Sequence, residues 1–282
     1  MGSLEPSTAV HALGSVAESI WLAVEPRLPG LSVEVLPQID STNSELMRRA
    51  RAGQTTPTLL VAASQSAGRG RLGKRWRSDA SALTFSLGLE LAPADWSGLS
   101  LAVGVAVAEA LHPTIQIKWP NDLWLHERKL AGILVETASF FSSSSSSSGT
   151  ASGEPGARYT VIGIGINIAP RAAEGLATPP AWLQELVPGI SAAQTLERIA
   201  LPLVVTLQAF CLSGFAALAE RYAARDLLSG RSVQLSDDRT GVAQGVSANG
   251  ALLLRAATGL QAITSAEVSV RPSAVHDLAK AH

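Results

Sequence analysis

Hydrophobic and polar residues alternate strictly in the stretch LTFSLGLEL, with Leu83, Phe85, Leu87, Leu89 and Leu91 on one face and Thr84, Ser86, Gly88 and Glu90 on the other. A period of two residues is typical of a β-strand with one buried face. Apolar runs predict further strands around Thr58–Ala63, Ile115–Trp119, Leu130–Thr137 and Tyr159–Ile168, and Val33 with Val35 begins another. We therefore expect a sheet whose strand 83–91 is half-buried.

Helical periodicity separates these strands. Residues Leu13, Val16, Ala17, Ile20, Trp21 and Val24 fit one short amphipathic helix before Pro26. Thr42 and Glu45 have the spacing of a capping box, which predicts a helix through about Ala52. Further helices are predicted over Leu99–Leu111 and over residues 195–224. Within the last, the uncharged stretch 199–219 is long enough to span a bilayer, but its polar and small residues share one helical stripe, which favours a packed core helix.

The sequence pattern changes at Ser229 from a long helical segment to short strand-like runs. Short β-like runs (SVQL, TGVAQGVS, ALLLRA and LQAITSAEVSV) alternate with Asp-Asp, Asn-Gly and Thr-Gly turn signals. The chain is therefore divided into an N-terminal extension with a helix (1–30), an α+β body (31–228) and a small all-β domain (229–275). Inside the body, the serine-rich stretch 141–158 cannot bury enough apolar surface to order itself, which predicts a mobile hairpin loop.

Composition narrows the function classes. The formal net charge is −1 over 282 residues, so any site for an anion must be local rather than a property of the whole surface. Cys211 is the only cysteine, which excludes an intrachain disulfide framework and suits a reducing compartment. The N-terminus has no basic region leading into an apolar run, so we expect a cytoplasmic protein with no membrane partner.

Positive charge is concentrated in the stretch GRGRLGKRWRS (68–78), which holds three glycines and five basic side chains and is called here the basic loop. Most of a phosphate-binding P-loop pattern is present, but Arg75 stands where Ser or Thr is required and a strand rather than a helix follows. Binding of single-stranded nucleic acid, with Trp76 stacking a base, would need further basic surface that the near-neutral remainder lacks. Taken alone, the stretch also fits a solvated turn.

Other polar motifs lie ahead of and behind the basic loop: Ser41-Thr42-Asn43, Gln65, Lys118-Trp-Pro-Asn-Asp122, Lys129 to Glu136 and Gly163-Ile-Gly165-Ile-Asn167. Lys129 has apolar neighbours on its own face of a strand, so it either extends its ammonium out of the sheet or holds an anion. Gly163 and Gly165 weaken an apolar strand unless something must approach its backbone closely. The stretch Gly163-Ile-Gly165-Ile-Asn167 does not match the dinucleotide-binding pattern, because Ile168 occupies the position of the third glycine.

Together, and in this order, the motifs resemble those of the biotin protein ligase family over roughly 33–271. The resemblance implies an α+β fold: a mixed-sheet catalytic domain of the biotin/lipoate ligase type with a small C-terminal SH3-like β-barrel. It implies an enzyme that joins biotin to AMP using ATP and Mg²⁺, releases pyrophosphate, and passes the biotinyl group to a lysine of a biotin carboxyl carrier protein. Joining a carboxylate to a phosphate brings two anions together, so a basic loop on glycine hinges would serve as clamp and lid.

The resemblance also implies residue roles. Contacts to biotin are implied for Ser41, Thr42, Asn43, Gln65, Arg69, Gly70, Arg71, Lys129 and Gly132. Contacts to ATP are implied for Trp76, Lys118, Asn121, Gly163, Gly165, Asn167 and Trp182. The implied catalytic set is Lys129, Arg69, Arg71 and Asp122, with Asp122 also the implied magnesium ligand. For Asp122, a general-base role and a purely structural role in its turn both stay open.

Departures from the family pattern fall in the small domain, where Ser247 stands for a common Asp and Ala266 for a usual Gly, so contacts from this domain to ATP are not implied. Two alternative functions remain. Lipoate or octanoate ligases share the fold but carry an Arg-Arg-x-Ser-Gly-Gly-Gly type of loop that this sequence lacks. A non-catalytic biotin-binding regulator would not need Lys129 and a complete basic loop.

Regulatory members of the family carry an N-terminal winged helix-turn-helix. Here 40 residues precede Ser41, and Arg27 is the only Lys or Arg before Arg48, whereas operator binding needs several phosphate contacts. We therefore expect no binding to DNA, and a monomer or weak homodimer.

Overall fold

A seven-stranded mixed sheet organises the body in the computed structural model, which describes residues 6–79, 81–138, 156–171, 179–264 and 271–272. Its strands are β1 (Ser32–Leu36), β2 (Thr58–Ala62), β3 (Ala82–Leu91), β4 (Gln116–Lys118), β5 (Asp122–Leu125), β6 (Arg128–Ala138) and β7 (Arg158–Asn167). They lie in the order β1-β2-β3-β7-β6-β5-β4. Only β1 and β2 run parallel; the other neighbours are antiparallel. The predicted α+β architecture with a mixed sheet is confirmed.

Helices cover both faces of this sheet. They are α1 (Pro6–Ser15), α2 (Ala17–Val24), α3 (Thr42–Arg51), α4 (Leu99–Leu111) and α5 (Ala192–Ser213); a short helix α6 (Ala219–Ala223) packs on α4 and on the small C-terminal sheet instead. On β2, Leu59 and Val61 belong to the large core that includes α4 and α5, whereas Leu60 belongs to a smaller cluster under α3. Because successive side chains of a strand point to opposite faces, α3 must cover one face while α4 and α5 cover the other.

Several predicted elements need correction. Strand β3 is buried on both faces apart from Glu90, because α3 packs on its polar face. Ser41, not Thr42, caps α3 by accepting from the N–H of Ser44, and Glu45 pairs with arginines instead. Strand β5 was not predicted, because it is short and follows directly on the Pro-Asn-Asp turn. The helix predicted before Pro26 is two helices, broken at Val16.

The long helix α5 begins earlier and ends earlier than predicted. A capping box of Ser191 and Gln194 starts it, and Gly214, with φ of 65°, ends it. Among the described residues, α5 is the one helix that is long and apolar enough to cross a membrane. Half of its apolar stretch is buried inside the fold. Its buried side chains pack in the core shared with α4, as expected for a core helix.

A second, antiparallel sheet follows α6. It contains β8 (Ser232–Gln234), β9 (Thr240–Val246), β10 (Leu252–Ala256), β11 (Gly259–Ile263) and β12 (Arg271–Pro272), in the order β11-β10-β9-β8-β12. Buried Trp119 joins the two sheets by donating from Nε1 to the carbonyl of Gly250 at 3.0 Å. Ser247 accepts from the N–H of Ala251 and so serves a turn. Residues 141–155 of the predicted serine-rich loop, and Ala266, lie outside the described residues, whereas Arg158, the last residue of the predicted loop, begins β7.

Candidate active site

Glycines on β6 and β7 form a floor of bare backbone on the face that α3 covers. Gly132 stands opposite Gly165, and Leu134 stands opposite Gly163. A β-carbon at Gly163 would overlap the amide of Asn43, and one at Gly165 would overlap the indole of Trp76. The close approach that the sequence predicted at Gly163 and Gly165 is therefore made by protein side chains.

Lys129 curls back over this floor. Its Nζ lies 2.7 Å from Asp122 Oδ1 and 6.0 Å from the centre of the Trp76 ring, and it would lie 3.4 Å from a β-carbon at Gly132. The side chain is 33 % exposed. The ammonium of Lys129 is therefore held beside a carboxylate and remains reachable from solvent.

The basic loop folds into a compact hairpin. The N–H of Gly70 donates to the carbonyl of Lys74 at 2.7 Å, and the N–H of Trp76 donates to that of Gly68 at 2.9 Å. At its tip, Leu72 and Gly73 take positive φ values of 55° and 71°. This hairpin leads into β3 and not into a helix, so it is not a P-loop.

Two arginines extend from the hairpin to opposite ends of the site. Arg69 pairs with Glu136, with Nη2 at 3.0 Å from Oε1. Arg71 donates to the amide oxygen of Asn121 at 3.2 Å. Burial lowers the pKa of Arg71, while the charge of Asp122 acts in the opposite direction. The end of the site at Asp122 therefore holds two cations, Arg71 and Lys129, near this one carboxylate.

A buried polar cluster lies at the N-terminus of α3. The N–H of Thr42 donates to Gln65 Oε1 at 2.7 Å. Ser86 Oγ lies 2.7 Å from Thr42 Oγ1 and 2.6 Å from Asn43 Oδ1. Ser86 is fully buried and was missed as a site residue, although its place on the polar face of the alternating strand was the signal that could have found it. This cluster brings together the predicted residues 42, 43 and 65 next to the cap Ser41.

Asn167 connects β7 to the segment that follows it. Its Nδ2 donates to the carbonyls of Lys129 at 3.2 Å and Ala181 at 2.9 Å, and its Oδ1 accepts from Arg171 at 2.7 Å. Both ends of the amide are thus engaged inside the protein. Trp182 lies next along this segment, with its ring 5.6 Å from the guanidinium of Arg128.

Lys118 lies at the same end of the site as Asp122. Its strand register places it opposite Asp122, and its Nζ lies 4.4 Å from the centre of the Trp124 ring. Sequence reasoning missed Trp124 because the strand that carries it was not predicted. It also gave no role to Glu136 or Arg171, which bind the distant residues Asn43 and Asp79.

Two family profiles match the chain: the Biotin/lipoate A/B protein ligase family over residues 35–147 and the Biotin protein ligase C terminal domain over residues 228–271. Over 258 residues the chain is 35% identical to the bifunctional ligase/repressor BirA of Escherichia coli strain K12. This alignment covers 87% of the present chain and 76% of BirA. The chain belongs to the biotin protein ligase family.

Other members of the family extend the comparison. A biotin–[acetyl-CoA-carboxylase] ligase of Paracoccus denitrificans is 34% identical over 251 residues, covering 83% of this chain and 98% of the relative. The solved structure of the biotin protein ligase from Aquifex aeolicus in complex with biotin and ATP has a TM-score of 0.68 and 28% identity, covering 87% of this chain and all of that one. The resemblance and the fold class are confirmed, and the protein is an enzyme of the ligase class.

A cleft of about 560 Å³ opens beside the site of this family member. The basic loop forms one wall, the N-terminus of α4 with Trp96 another, and the turn around Asn249 in the small sheet a third. Arg69, Arg71 and Glu136 line it as well. The cleft therefore opens the basic loop to solvent between α4 and the small sheet.

The magnesium ligand implied by the family pattern is Asp122. Among the described residues, no three His, Cys, Asp or Glu side chains gather as a metal site. A single carboxylate, already paired with Lys129, suits Mg²⁺ that takes its remaining ligands from substrate phosphates and water. The donor set therefore fits a metal that enters with the nucleotide.

Proposed function

We propose that this family member is an ATP-dependent biotin protein ligase. It forms biotinyl-5'-AMP from biotin and MgATP with release of pyrophosphate, and then transfers biotin to a lysine of a biotin carboxyl carrier protein. The observation that carries the proposal is the position of Lys129 Nζ, held by Asp122 above the bare backbone of Gly132 and beside Trp76. The relatives named as biotin–[acetyl-CoA-carboxylase] ligases support the choice of substrate and acceptor.

In the first step, a carboxylate oxygen of biotin attacks the α-phosphorus of ATP, and pyrophosphate leaves. The two reactants are both anionic, so fixed cations lower the barrier most where they are already oriented. Lys129 and Arg71 are such cations, one held by Asp122 and the other by Asn121. We assign the biotin head to the side of Thr42, Asn43 and Gln65, and the phosphates to the side of Lys118, Asn121 and Asp122.

In the second step, the neutral amine of the acceptor lysine attacks the acyl carbon, AMP leaves with the phosphate oxygen, and the new amide nitrogen loses a proton. Water competes with the amine for the same carbon, so the adenylate must stay covered until the carrier arrives. The basic loop lies between the site and the cleft, where Arg69 and Arg71 can cover the adenylate. We propose that the acceptor lysine enters through this cleft.

The test is biotin-dependent release of pyrophosphate from MgATP, with transfer to a purified carrier domain followed in parallel. Lys129→Ala should abolish adenylation, whereas Arg221→Ala, which removes an arginine from an ion pair with Glu109 away from the site, should not. Lipoate and octanoate are assayed beside biotin. Activity with either of these alone would keep the fold and overturn the substrate, and binding of biotin without pyrophosphate release would indicate a regulator.

A further inference from the structure

Glu136 stands where the basic loop meets the polar cluster of α3. Its Oε2 accepts from Asn43 Nδ2 at 3.0 Å and from Arg69 Nη1 at 3.1 Å, while its Oε1 lies 3.0 Å from Arg69 Nη2. The arginine contact is bidentate, the strong and directional form of a carboxylate pair. One carboxylate therefore holds a side chain from each of two separate elements.

The position of Glu136 on its strand explains why it reaches both. Gly132, Leu134 and Glu136 share one face of β6, because side chains two residues apart point the same way. Asn43 lies over this face, since its Nδ2 also lies 3.3 Å from the carbonyl of Leu134. Glu136 is 22 % exposed and Arg69 46 % exposed, so their pair lies between the buried cluster and the open cleft.

A carboxylate paired with arginine offers only acceptors, and this sets the direction of the hydrogen bonds behind it. Asn43 donates to Glu136, so its Oδ1 faces Ser86 and must accept the single hydrogen of that hydroxyl. The hydroxyl of Thr42 points the other way, because it donates to Gln65 Oε1 at 3.2 Å. The donors at Ser86 and Asn43 therefore point towards Glu136, in a short chain whose members strengthen one another.

We propose that Glu136 is a positioning residue that couples the basic loop to the polar cluster, so that the loop over the adenylate and the pocket for the biotin head form one hydrogen-bonded unit. The inference rests on the proposed function. Glu136 does not contact the reacting atoms; it acts through Arg69 and Asn43. Loss of Glu136 releases Arg69 and the Asn43 amide from each other, whereas the cations Lys129 and Arg71 keep their own partners.

The test compares Glu136→Gln, which loses the charge but keeps an acceptor for Asn43, with Glu136→Ala, which loses both contacts. If the Arg69–Glu136 pair holds the biotin pocket in its binding conformation, loss of this charge-assisted pair weakens the binding of biotin about tenfold. We expect the Kd for biotin, measured by calorimetry without ATP, to rise about tenfold in Glu136→Gln and further in Glu136→Ala. The kcat for pyrophosphate release at saturating biotin should change less than about twofold. Glu109→Gln, which breaks a similar pair with Arg221 elsewhere, is the control.

A second measurement does not depend on the reaction. Trypsin cleaves after the basic residues of the loop, so cleavage between residues 69 and 77 should be faster in Glu136→Gln than in the wild type. In an Arg69→Gln background, Glu136→Gln should add little to either readout, because paired residues are not additive. Wild-type affinity and cleavage in Glu136→Gln, or full additivity with Arg69→Gln, would overturn the inference. A wild type that binds no biotin would instead overturn the proposed function, while the cleavage assay would still test the coupling.

Discussion

The amide of Asn43 on α3 lies directly against the backbone of Gly163 on β7, so no side chain larger than hydrogen fits at residue 163. The indole of Trp76 lies equally close to the backbone of Gly165, so residue 165 must also be glycine. These two contacts explain why glycines interrupt an otherwise apolar strand at the centre of the sheet, where they carry an entropic cost. The floor of the site is therefore shaped by side chains from α3 and from the basic loop.

Gly163→Ala should displace Asn43 and with it the bonds to Glu136 and Ser86. Overpacking of this kind costs about 1–3 kcal/mol, so we expect that loss in the free energy of unfolding in urea, together with weaker binding of biotin. Gly14→Ala is the matched control, since a β-carbon there meets nothing within 4 Å in a helix. Equal stability of the two variants would show that Asn43 can move at no cost.

Asp122→Asn removes the charge that holds Lys129 Nζ at 2.7 Å. A misplaced catalytic group costs about 10- to 100-fold in rate, so we expect a fall of that size in the kcat for pyrophosphate release, with a smaller change in the KM for biotin. Steady-state kinetics at saturating ATP measures both. Asp237→Asn breaks an exposed pair with Arg239 in the small sheet and should leave kcat within about twofold, because exposed pairs contribute little. A kcat unaffected by Asp122→Asn would remove this carboxylate from the catalytic set.

Trp119→Phe tests the junction between the two sheets. The substitution leaves the carbonyl of Gly250 without its indole donor in a buried place, which costs about 1–3 kcal/mol. Trp21 makes a bond of the same kind and length to the carbonyl of Leu31 but is 41% exposed, so Trp21→Phe should cost less. Denaturant unfolding of both variants measures the difference. An equal cost would mean that burial at the junction adds nothing to this bond.

Asp226 gives the protein a dependence of stability on pH. Burial raises the pKa of its carboxyl above the ordinary value of 3.8, although the N–H of Leu228 donates to it. The folded state therefore binds this proton more tightly than the unfolded state. The contribution of Asp226 is fullest below pH 3.8 and is lost as the pH rises through the folded pKa.

Asp226→Asn should remove this slope. The unfolding free energy of the wild type, relative to that of the variant, is expected to fall as the pH rises from 3.8 and then to level off. Urea unfolding at a series of pH values measures the relative curve. Parallel curves for the two proteins would show that the carboxyl titrates alike in the folded and unfolded states.

The sequence predicted most of the fold because local patterns decide it. Leu99–Leu111 is helical as expected, and the alternation of 83–91 lies within β3. The errors came from tertiary contacts: α3 buries the polar face of β3, and β5 owes its place to pairing with β4 and β6 on either side. The capping error is local instead: Ser41, one residue earlier, is the N-cap, and Glu45 pairs with Arg48 and Arg49 one turn along the same helix.

The sequence by itself determined which residue types the site contains, because motifs such as Lys129 to Glu136 and the basic loop are continuous in the chain. Only the tertiary structure decided which of them meet. Asn43, Arg69 and Glu136 come from three distant segments, and their contacts depend on how α3 and the hairpin lie across β6. Strand and helix periods report which face a residue occupies, whereas a hydrogen bond depends on distances of a few tenths of an ångström between elements.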